Sequence, residues 1–225
     1  MKNYTFKKVD EKPTLDSPVW NDVEKATLDN DNFCGENAEK ITVTVQGVCT
    51  KYGITVKFES DEKNPVIKYS HANQPAWTDS CVEFFLAPYP DEKGNYLNFE
   101  QSLGGALLLQ KGPNAADRVY IPHSDEYFET EKQIDENSWK IKFFIPFSFI
   151  DKHFVTMNKK FRGNFQFCCE DKDVYLTWNR IENPFPAFHK PEYFGEMTLD
   201  MSVLDRMTAE CIKYGYNVFE MCEMT

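Results

Sequence analysis

Short segments in which apolar and polar residues alternate recur along most of the chain, and this pattern is typical of β-strands with one face in a core. The clearest segment is residues 81–86, in which Val82, Phe84 and Leu86 fall on one face and Glu83 falls on the other. The pattern therefore predicts a strand that buries three apolar side chains and presents a carboxyl group on its second face.

The other alternating segments are separated by residues that favour turns, such as Gly47 and the run from Pro88 to Gly94. They cover residues 41–46, 53–59, 96–102, 106–110, 118–122, 128–134, 138–146, 161–170, 174–178 and 195–199. This density of short strands predicts an all-β protein, an antiparallel β-sandwich. We expect its core to contain Val82, Phe84, Phe99, Phe143 and Phe165.

No repeat, low-complexity run or Gly/Ser/Pro linker divides the chain, so we predict one domain over residues 1–200. Residues 201–225 form a C-terminal extension that we expect to pack on the same domain. Leu204, Met207 and Cys211 keep roughly helical spacing there, which predicts a short terminal helix.

The charge of the chain limits its partners. It has 25 Lys and Arg residues against 36 Asp and Glu residues, a formal net charge of −11. Nucleic acids and anionic membranes require a basic surface, so we expect neither as a partner. No apolar run reaches the length of a membrane span. The negative charge of the chain therefore favours a neutral ligand over an anionic one.

The seven cysteines are odd in number, and several lie inside apolar strand segments, where thiols behave as small hydrophobic groups. We expect all of them to be free thiols in a reducing compartment. This predicts a cytoplasmic location, or an extracellular one if a signal peptide has been removed. The vicinal Cys168 and Cys169 should point to opposite sheet faces, so we do not expect a structural zinc site.

The candidate chemistry lies around the segment that begins at Trp77. This residue precedes Glu83 by six positions, so its indole can lean over the sheet face that carries the carboxyl group. Asn98 and Glu100 flank Phe99, so they share that face if Phe99 is in the core. A sugar ring needs such a combination, because its C–H face stacks on an aromatic ring while its hydroxyls need polar partners.

Several motifs in a fixed order give the chain a resemblance to a known family. They are Trp77-x-Asp79-x-x-Val82-Glu83, Tyr96-x-Asn98-Phe99-Glu100, Trp139 with Ile145-Pro146-Phe147, Arg162-Gly163-Asn164-Phe165, Trp178, and Phe188-His189-x-Pro191-x-x-Phe194-Gly195. Together they resemble the family 9 carbohydrate-binding modules, especially the stand-alone bacterial family 9-like proteins. The resemblance covers roughly Trp20 to Leu199.

The resemblance implies an immunoglobulin-like or jelly-roll β-sandwich in which two tryptophans clamp a pyranose at the reducing end of a glycan. Trp77 and Trp178 fall on those two positions, and Glu83 matches the family's glutamate. On the neighbouring strand the best-known members have an arginine, where this chain offers Asn98 or Glu100. The ligand that this implies is a mono- or oligosaccharide, bound without turnover.

Two arginines and one acidic loop are the remaining candidates for a role in ligand or ion binding. Arg180, next to Trp178, and Arg162 are both able to pair with ligand hydroxyls or with nearby acids. The run from Asp29 to Asn32 resembles the start of a calcium loop but lacks the glycine and glutamate of an EF-hand. We expect no cofactor, although the resemblance allows a structural calcium ion.

Other functions remain open at this point. Glu83 and Glu100 would suit a glycoside hydrolase if their carboxyls lay about 5 Å or about 6.5–9.5 Å apart. Related sandwich modules hold haem, for which His153 and Met157 are the available axial ligands. A protein-interaction domain that does not bind sugar is the third alternative.

Overall fold

The computed structural model describes residues 1–89, 94–154 and 156–202. Within these residues β-strands dominate, with one α-helix, α1 (Phe147–His153), and four short 3-10 turns. The strands are β1 (Asn3–Lys8), β2 (Ala26–Thr27), β3 (Val43–Thr50), β4 (Gly53–Ser60), β5 (Cys81–Ala87), β6 (Tyr96–Ser102), β7 (Leu107–Gly112), β8 (Val119–Tyr120), β9 (Glu131–Asp135), β10 (Ser138–Pro146), β11 (Lys160–Cys169), β12 (Val174–Thr177) and β13 (Gly195–Leu199).

The strands form one strongly curled sheet whose two halves face each other, as predicted for a β-sandwich. The first half has the order β8-β7-β6-β5-β11-β13-β1, with β12 also paired to β11. The second half has the order β1-β3-β4-β10-β9, with β2 paired to β3. Strand β1 belongs to both, because its first residues pair with β13 and its last two with β3. This strand therefore links the two layers along one side.

The core lies between the two halves and is rich in aromatic rings. Phe58 of β4 meets Phe165 of β11 edge to face, with ring centroids 6.1 Å apart, and Phe143 of β10 stacks on Phe99 of β6 at 6.2 Å. The core residues predicted from the sequence, Val82, Phe84, Phe99, Phe143 and Phe165, are all fully buried, so that prediction is confirmed.

Strand β1, the two-residue strand β2 and helix α1 were not predicted. Strand β1 pairs in parallel with both of its neighbours, β13 and β3. The other strand pairs among the described residues are antiparallel. Helix α1 follows β10 directly. Pro146 ends the strand, and the buried Phe147 and Ile150 are three residues apart, which puts both on one face of a helix.

The predicted C-terminal helix, with Leu204, Met207 and Cys211, lies outside the described residues. Cys34, Cys49, Cys81, Cys168 and Cys169 are thiols that do not take part in disulfides. In the described part of the chain, no helix has the length and hydropathy needed to span a bilayer.

Candidate functional site

A cleft opens on the face of strands β5, β6, β7 and β11 that points away from the sandwich core. Its volume is about 430 Å³. Sheet residues, the turn before β5 and the segment after β12 contribute to it. It is lined by Trp77, Glu83, Glu100, Leu108, Gln110, Arg118, Tyr120, Cys168, Glu170, Tyr175, Pro186, Ala187, Phe188 and His189.

The floor of the cleft carries two carboxyl groups. Glu83 of β5 is the antiparallel register partner of Glu100 of β6, and each side chain is almost completely buried. Directly opposed residues on antiparallel strands place their Cβ atoms about 4.5–5.5 Å apart, so the two acids are neighbours. Phe99 is buried in the core, and Glu100 lies on the same face as Glu83, as the alternation of β6 predicts.

The two acids have different hydrogen-bond partners. Asn98 Nδ2 donates to Glu100 Oε1 at 2.8 Å, and the Asn98 side chain is itself fully buried. The thiol of Cys168 donates to Glu83 Oε1 at 3.0 Å. Glu83 Oε2 has no hydrogen-bond partner among the described residues. The second oxygen of Glu83 is therefore left for a ligand or a proton.

Both acids hold their protons more strongly than an exposed glutamate does. Burial raises the pKa of Glu100 to about 7, against the opposing effects of Arg118 and of the hydrogen bond from Asn98. The pKa of Glu83 is raised well above its ordinary range, first by burial and then by the charge of Glu100. Near neutral pH the pair therefore offers both hydrogen-bond donors and acceptors to a ligand.

An arginine and a histidine lie beside this pair. Arg118 Nη1 is 3.7 Å from Glu100 Oε1 and donates to His189 Nε2 at 2.7 Å. Burial, with the nearby charge of Arg118, lowers the pKa of His189 to about 3, so its ring is neutral. Nδ1 of the same ring is 2.9 Å from the hydroxyl of Tyr96. Arg118 is thus the cation that faces Glu100.

Trp77 forms part of the rim and exposes 41% of its surface. It lies in a 3-10 turn, Ala76–Thr78, that leads into β5. The buried carboxyl of Asp79 holds this turn, because its Oδ2 accepts the backbone N–H groups of Lys68 and Tyr69, both at 3.0 Å. The indole is thus fixed at its base while its ring stays accessible from the cleft.

The segment between β12 and β13 supplies Pro186, Ala187, Phe188 and His189 to the cleft. Polar side chains tie this segment to the sheet. Asn179 Nδ2 donates to the carbonyl of Tyr193 at 2.6 Å, and Arg162 donates to the carbonyl of Phe194, also at 2.6 Å. These bonds give the Pro-rich segment a defined position beside the floor.

The predicted pairing of Trp77 with Trp178 is not formed. Trp178 exposes only 3% of its surface and does not line the cleft. In β12 and just after it, Leu176 and Trp178 point into the core, whereas Tyr175 points into the cleft. Trp178 packs in the core against Tyr4 and Phe165, with ring centroids 6.3 and 5.6 Å away. The expectation that Trp178 is a stacking residue is therefore corrected.

The structure thus brings Trp77, Glu83 and Glu100 into one cleft and places Asn98 beside it as a partner of Glu100. Arg180 is not among the residues that line the cleft. Its exposed guanidinium donates to Glu182 Oε1 at 2.6 Å. Arg162 binds backbone carbonyls rather than acids.

Sequence reasoning missed several residues that line the cleft. They are Gln110, Arg118, Tyr120, Tyr175 and His189. The alternation of residues 106–110 and 174–178 contained the signal for Gln110 and Tyr175. Arg118 and His189 are 71 positions apart in the chain. Nothing in the local sequence therefore indicates that both approach Glu100.

The acidic loop does not form a calcium site. Asp29 pairs with Lys2 and accepts from Asn30 Nδ2 at 3.0 Å. Calcium takes six to eight oxygen ligands. Among the described residues, Asp29 and Asp31 do not belong to a group of three side chains with metal-ligand geometry. The residues present therefore do not fit a calcium ion at this loop.

A β-sandwich whose outer sheet face holds an accessible indole beside buried acids has the architecture of a carbohydrate-binding module. The model of the carbohydrate-binding family 9 matches residues 15–199. The chain belongs to this family, which confirms the resemblance of its motifs. A search of curated proteins finds no match.

Solved structures agree with this assignment. A candidate carbohydrate-binding protein from Bacteroides uniformis ATCC 8492 superposes with a TM-score of 0.74 at 25% sequence identity, over 88% of this chain and 99% of that chain. A family 9 carbohydrate-binding module from Caldicellulosiruptor kristjanssonii, in complex with glucose, gives a TM-score of 0.59 at 14% identity, over 89% of this chain and 97% of that chain. Its complex with cellotriose gives the same TM-score and identity, over 89% and 95%.

Proposed function

We propose that the cleft binds one pyranose unit of a mono- or oligosaccharide and does not catalyse a reaction. The observation that carries this proposal is the accessible ring of Trp77 at the rim of a cleft whose floor holds Glu83 and Glu100. An aromatic ring offers the surface on which the C–H face of a sugar stacks. The buried polar groups of the floor offer partners for its hydroxyls.

The chemistry of the floor suits a neutral polyhydroxylated ligand. Glu100, Gln110 and Arg118 together provide acceptors and donors at short range, and Glu83 adds an oxygen with no partner among the described residues. Sugar hydroxyls both donate and accept, so they match this mixture better than an anion would. One stacked ring contributes on the order of 1 kcal/mol beyond area burial, which favours an affinity of roughly millimolar to micromolar.

Glucose-type sugars are the first candidates, because the Caldicellulosiruptor kristjanssonii module of this family has been solved with glucose and with cellotriose. The volume of about 430 Å³ lies toward the small end of ligand sites, which run from about 300 to 1,000 Å³. A cleft of this size favours a single unit or a chain end. We extend the proposal to the reducing end of the glycan.

Glycoside hydrolysis is the second candidate, since the raised pKa of Glu100 is a property of general acids. Two hydrolytic carboxyls must flank the scissile bond, however. Glu83 and Glu100 lie side by side on one floor, in direct register on adjacent strands. This arrangement places both on the same side of a bound sugar, which favours binding without hydrolysis.

Titration calorimetry with glucose, cellotriose, xylotriose and their reduced alditol-terminated forms tests the proposal. We expect the wild-type protein and Tyr52→Ala to bind alike, because Tyr52 is an exposed aromatic residue outside the cleft lining. Trp77→Ala should bind none of the panel measurably. Loss of affinity for the reduced forms would support the reducing-end preference.

Two results would overturn the proposal. One is a wild-type protein that binds no sugar of the panel, and the other is Trp77→Ala with unchanged affinity. Release of reducing sugar from cellotriose by the wild type, lost in Glu100→Gln, would instead establish the hydrolytic function.

A further inference from the structure

Two thiols and a carboxyl group converge beneath the cleft floor. Cys81 of β5 and Cys168 of β11 are antiparallel register partners, and Glu83 follows Cys81 on the same face of β5. One ligand atom from each of these three buried residues lies within 4.8 Å of the other two. We propose that Cys81, Glu83 and Cys168 form a binding site for a thiophilic divalent metal ion, Zn²⁺.

The geometry is close to that of a tetrahedral site with one open position. With Zn–S near 2.3 Å and Zn–O near 2.0–2.2 Å, the ligand atoms of a tetrahedral site lie roughly 3.5–3.8 Å apart. The Cys168 Sγ to Glu83 Oε1 distance is 3.0 Å, so modest side-chain rotation brings these atoms to the required spacing. Cys168 and Glu83 also line the cleft, which gives an ion a path to the site.

A second observation points independently to a ligand at this position. Glu83 Oε2 is buried without a hydrogen-bond partner among the described residues. Such an acceptor costs free energy unless a cation or proton satisfies it. Arg118 lies 3.7 Å from Glu100 Oε1 and faces that acid instead. A metal ion between the thiols and Glu83 would satisfy the unpartnered Oε2 once the carboxylate binds it through both oxygens or turns its Oε2 toward the thiols.

The chemical type of the three ligand groups determines which metal ion the site favours. Two thiolates and one carboxylate favour Zn²⁺ over Ca²⁺ and Mg²⁺, which prefer oxygen ligands alone. Cys169, the neighbour of Cys168, belongs to the core cluster on the opposite face and cannot reach the site. The expectation that Cys168 and Cys169 point to opposite faces is thus met, yet the cross-strand partner Cys81 supplies the second thiol.

The metal site shares Glu83 with the proposed sugar site, but none of its three ligands comes from a sugar. An ion held by Cys81, Glu83 and Cys168 leaves Glu100, Gln110 and Arg118 facing the cleft. The fourth coordination position would take a water molecule. Metal binding and sugar binding are therefore measured separately, and failure of one leaves the other proposal standing.

The test uses the full chain, stripped with a chelator and kept reduced, and titrated with Co²⁺ as a spectroscopic probe and with Zn²⁺ in competition with a chromophoric chelator. We expect one ion per chain, a thiolate-to-cobalt charge-transfer band, and the strong visible bands of tetrahedral Co²⁺. Cys81→Ala and Cys168→Ala should each lose the band and weaken Zn²⁺ binding by at least about tenfold, as even loss of an outer-shell partner weakens metal sites by 10–100-fold.

Matched controls separate this site from the other thiols. Cys169→Ala, on the opposite face, and the tail variant Cys211→Ser/Cys222→Ser should keep the band and the affinity. Cys81→Ser keeps a γ atom in place of the sulfur and replaces Cys81→Ala if the latter fails to fold, as judged by circular dichroism. The proposal is overturned if the wild type shows no charge-transfer band, or if the band survives in the Cys81→Ala/Cys168→Ala double variant.

Discussion

Trp77 exposes 41% of its surface and Trp178 exposes 3%, although the motifs assign both to sugar stacking. Their positions explain the difference. Trp77 lies in a turn at the rim of the cleft, and Trp178 lies on the side of its strand that faces the core. Truncating the first removes the accessible ring that we propose stacks on the sugar, and truncating the second opens a cavity.

The first prediction contrasts these two residues. Trp77→Ala should leave the melting temperature within a few degrees of the wild type, while Trp178→Ala should lower the free energy of unfolding by roughly 3–5 kcal/mol, the usual cost of removing a buried aromatic side chain. Thermal and urea denaturation measure both values. Equal stability of Trp178→Ala and wild type would place Trp178 outside the core and contradict the packing described above.

The second prediction concerns Glu100. Its pKa is raised in the folded protein from 4.5 to about 7, so its contribution to stability is present below pH 4.5 and is lost as the pH rises through 7. The free energy of unfolding should therefore fall by a few kcal/mol over that interval, since each pKa unit corresponds to about 1.4 kcal/mol. The raised pKa of Glu83 acts in the same direction.

Glu100→Gln tests this explanation. The amide does not ionise, and its neutrality also removes the charge that raises the pKa of Glu83. Urea denaturation across the pH series, in buffer containing a chelator, should give a flatter profile for Glu100→Gln than for the wild type. Parallel profiles for the two proteins would show that Glu100 is not the group responsible.

At the scale of elements, the turn that carries Trp77 depends on buried polar side chains. Asp79 accepts two backbone N–H groups of the preceding loop. Ser80 donates its hydroxyl to the buried Glu62 at 2.8 Å, and Glu62 also accepts from the indole of Trp139 at 2.8 Å. The loop from β4 to β5 is thus fastened to both halves of the sheet.

The third prediction follows from this anchoring. Asp79→Ala should cost roughly 1–3 kcal/mol of stability, because two partly buried backbone N–H groups lose their buried acceptor, and it should also weaken sugar binding by releasing the turn. Asp79→Asn keeps one side-chain acceptor oxygen and should recover part of both losses. Denaturation and calorimetry on the two variants measure these effects. Normal binding by Asp79→Ala would mean that Asp79 does not position Trp77.

The elements also show what could be predicted from the sequence. Alternation within a strand fixes which side chains share a face, so the core residues and the common face of Glu83 and Glu100 follow from local pattern. Alternation does not identify the partner of a strand. The contact of Arg118 with Glu100 and the pairing of Cys81 with Cys168 depend on long-range strand order, which the local pattern does not encode.

The error at Trp178 has a different origin. The motif order placed this residue correctly after β12, but the alternation within residues 174–178 already assigns Trp178 to the face opposite Tyr175. The family resemblance suggests a stacking role for Trp178, whereas the alternation of the strand places it on the core face. Parallel β1 was missed because its partners, β13 and β3, are distant in sequence.

For the whole molecule, the acidic charge and the character of the cleft favour the same kind of ligand. The net charge of −11 repels anionic polymers at long range. The described lining of the cleft likewise sets one arginine against three acids, Glu83, Glu100 and Glu170, so it is not a basic site of the kind that holds an anion. A neutral sugar meets no electrostatic barrier in reaching this site.

The fourth prediction is that sugar binding is nearly independent of ionic strength. Counterion release makes the affinity for a charged polymer fall steeply with salt, whereas a neutral ligand held by stacking and short hydrogen bonds releases no counterions. Calorimetry with the best sugar of the panel should therefore give a Kd that changes less than about twofold between low and physiological salt. An anionic oligosaccharide of the same length serves as the control and should bind more weakly at low salt than at high salt, since screening reduces its repulsion from the acidic surface. A neutral-sugar Kd that weakens tenfold with salt would show that the ligand is held mainly by charge, contrary to the stacking role proposed for Trp77.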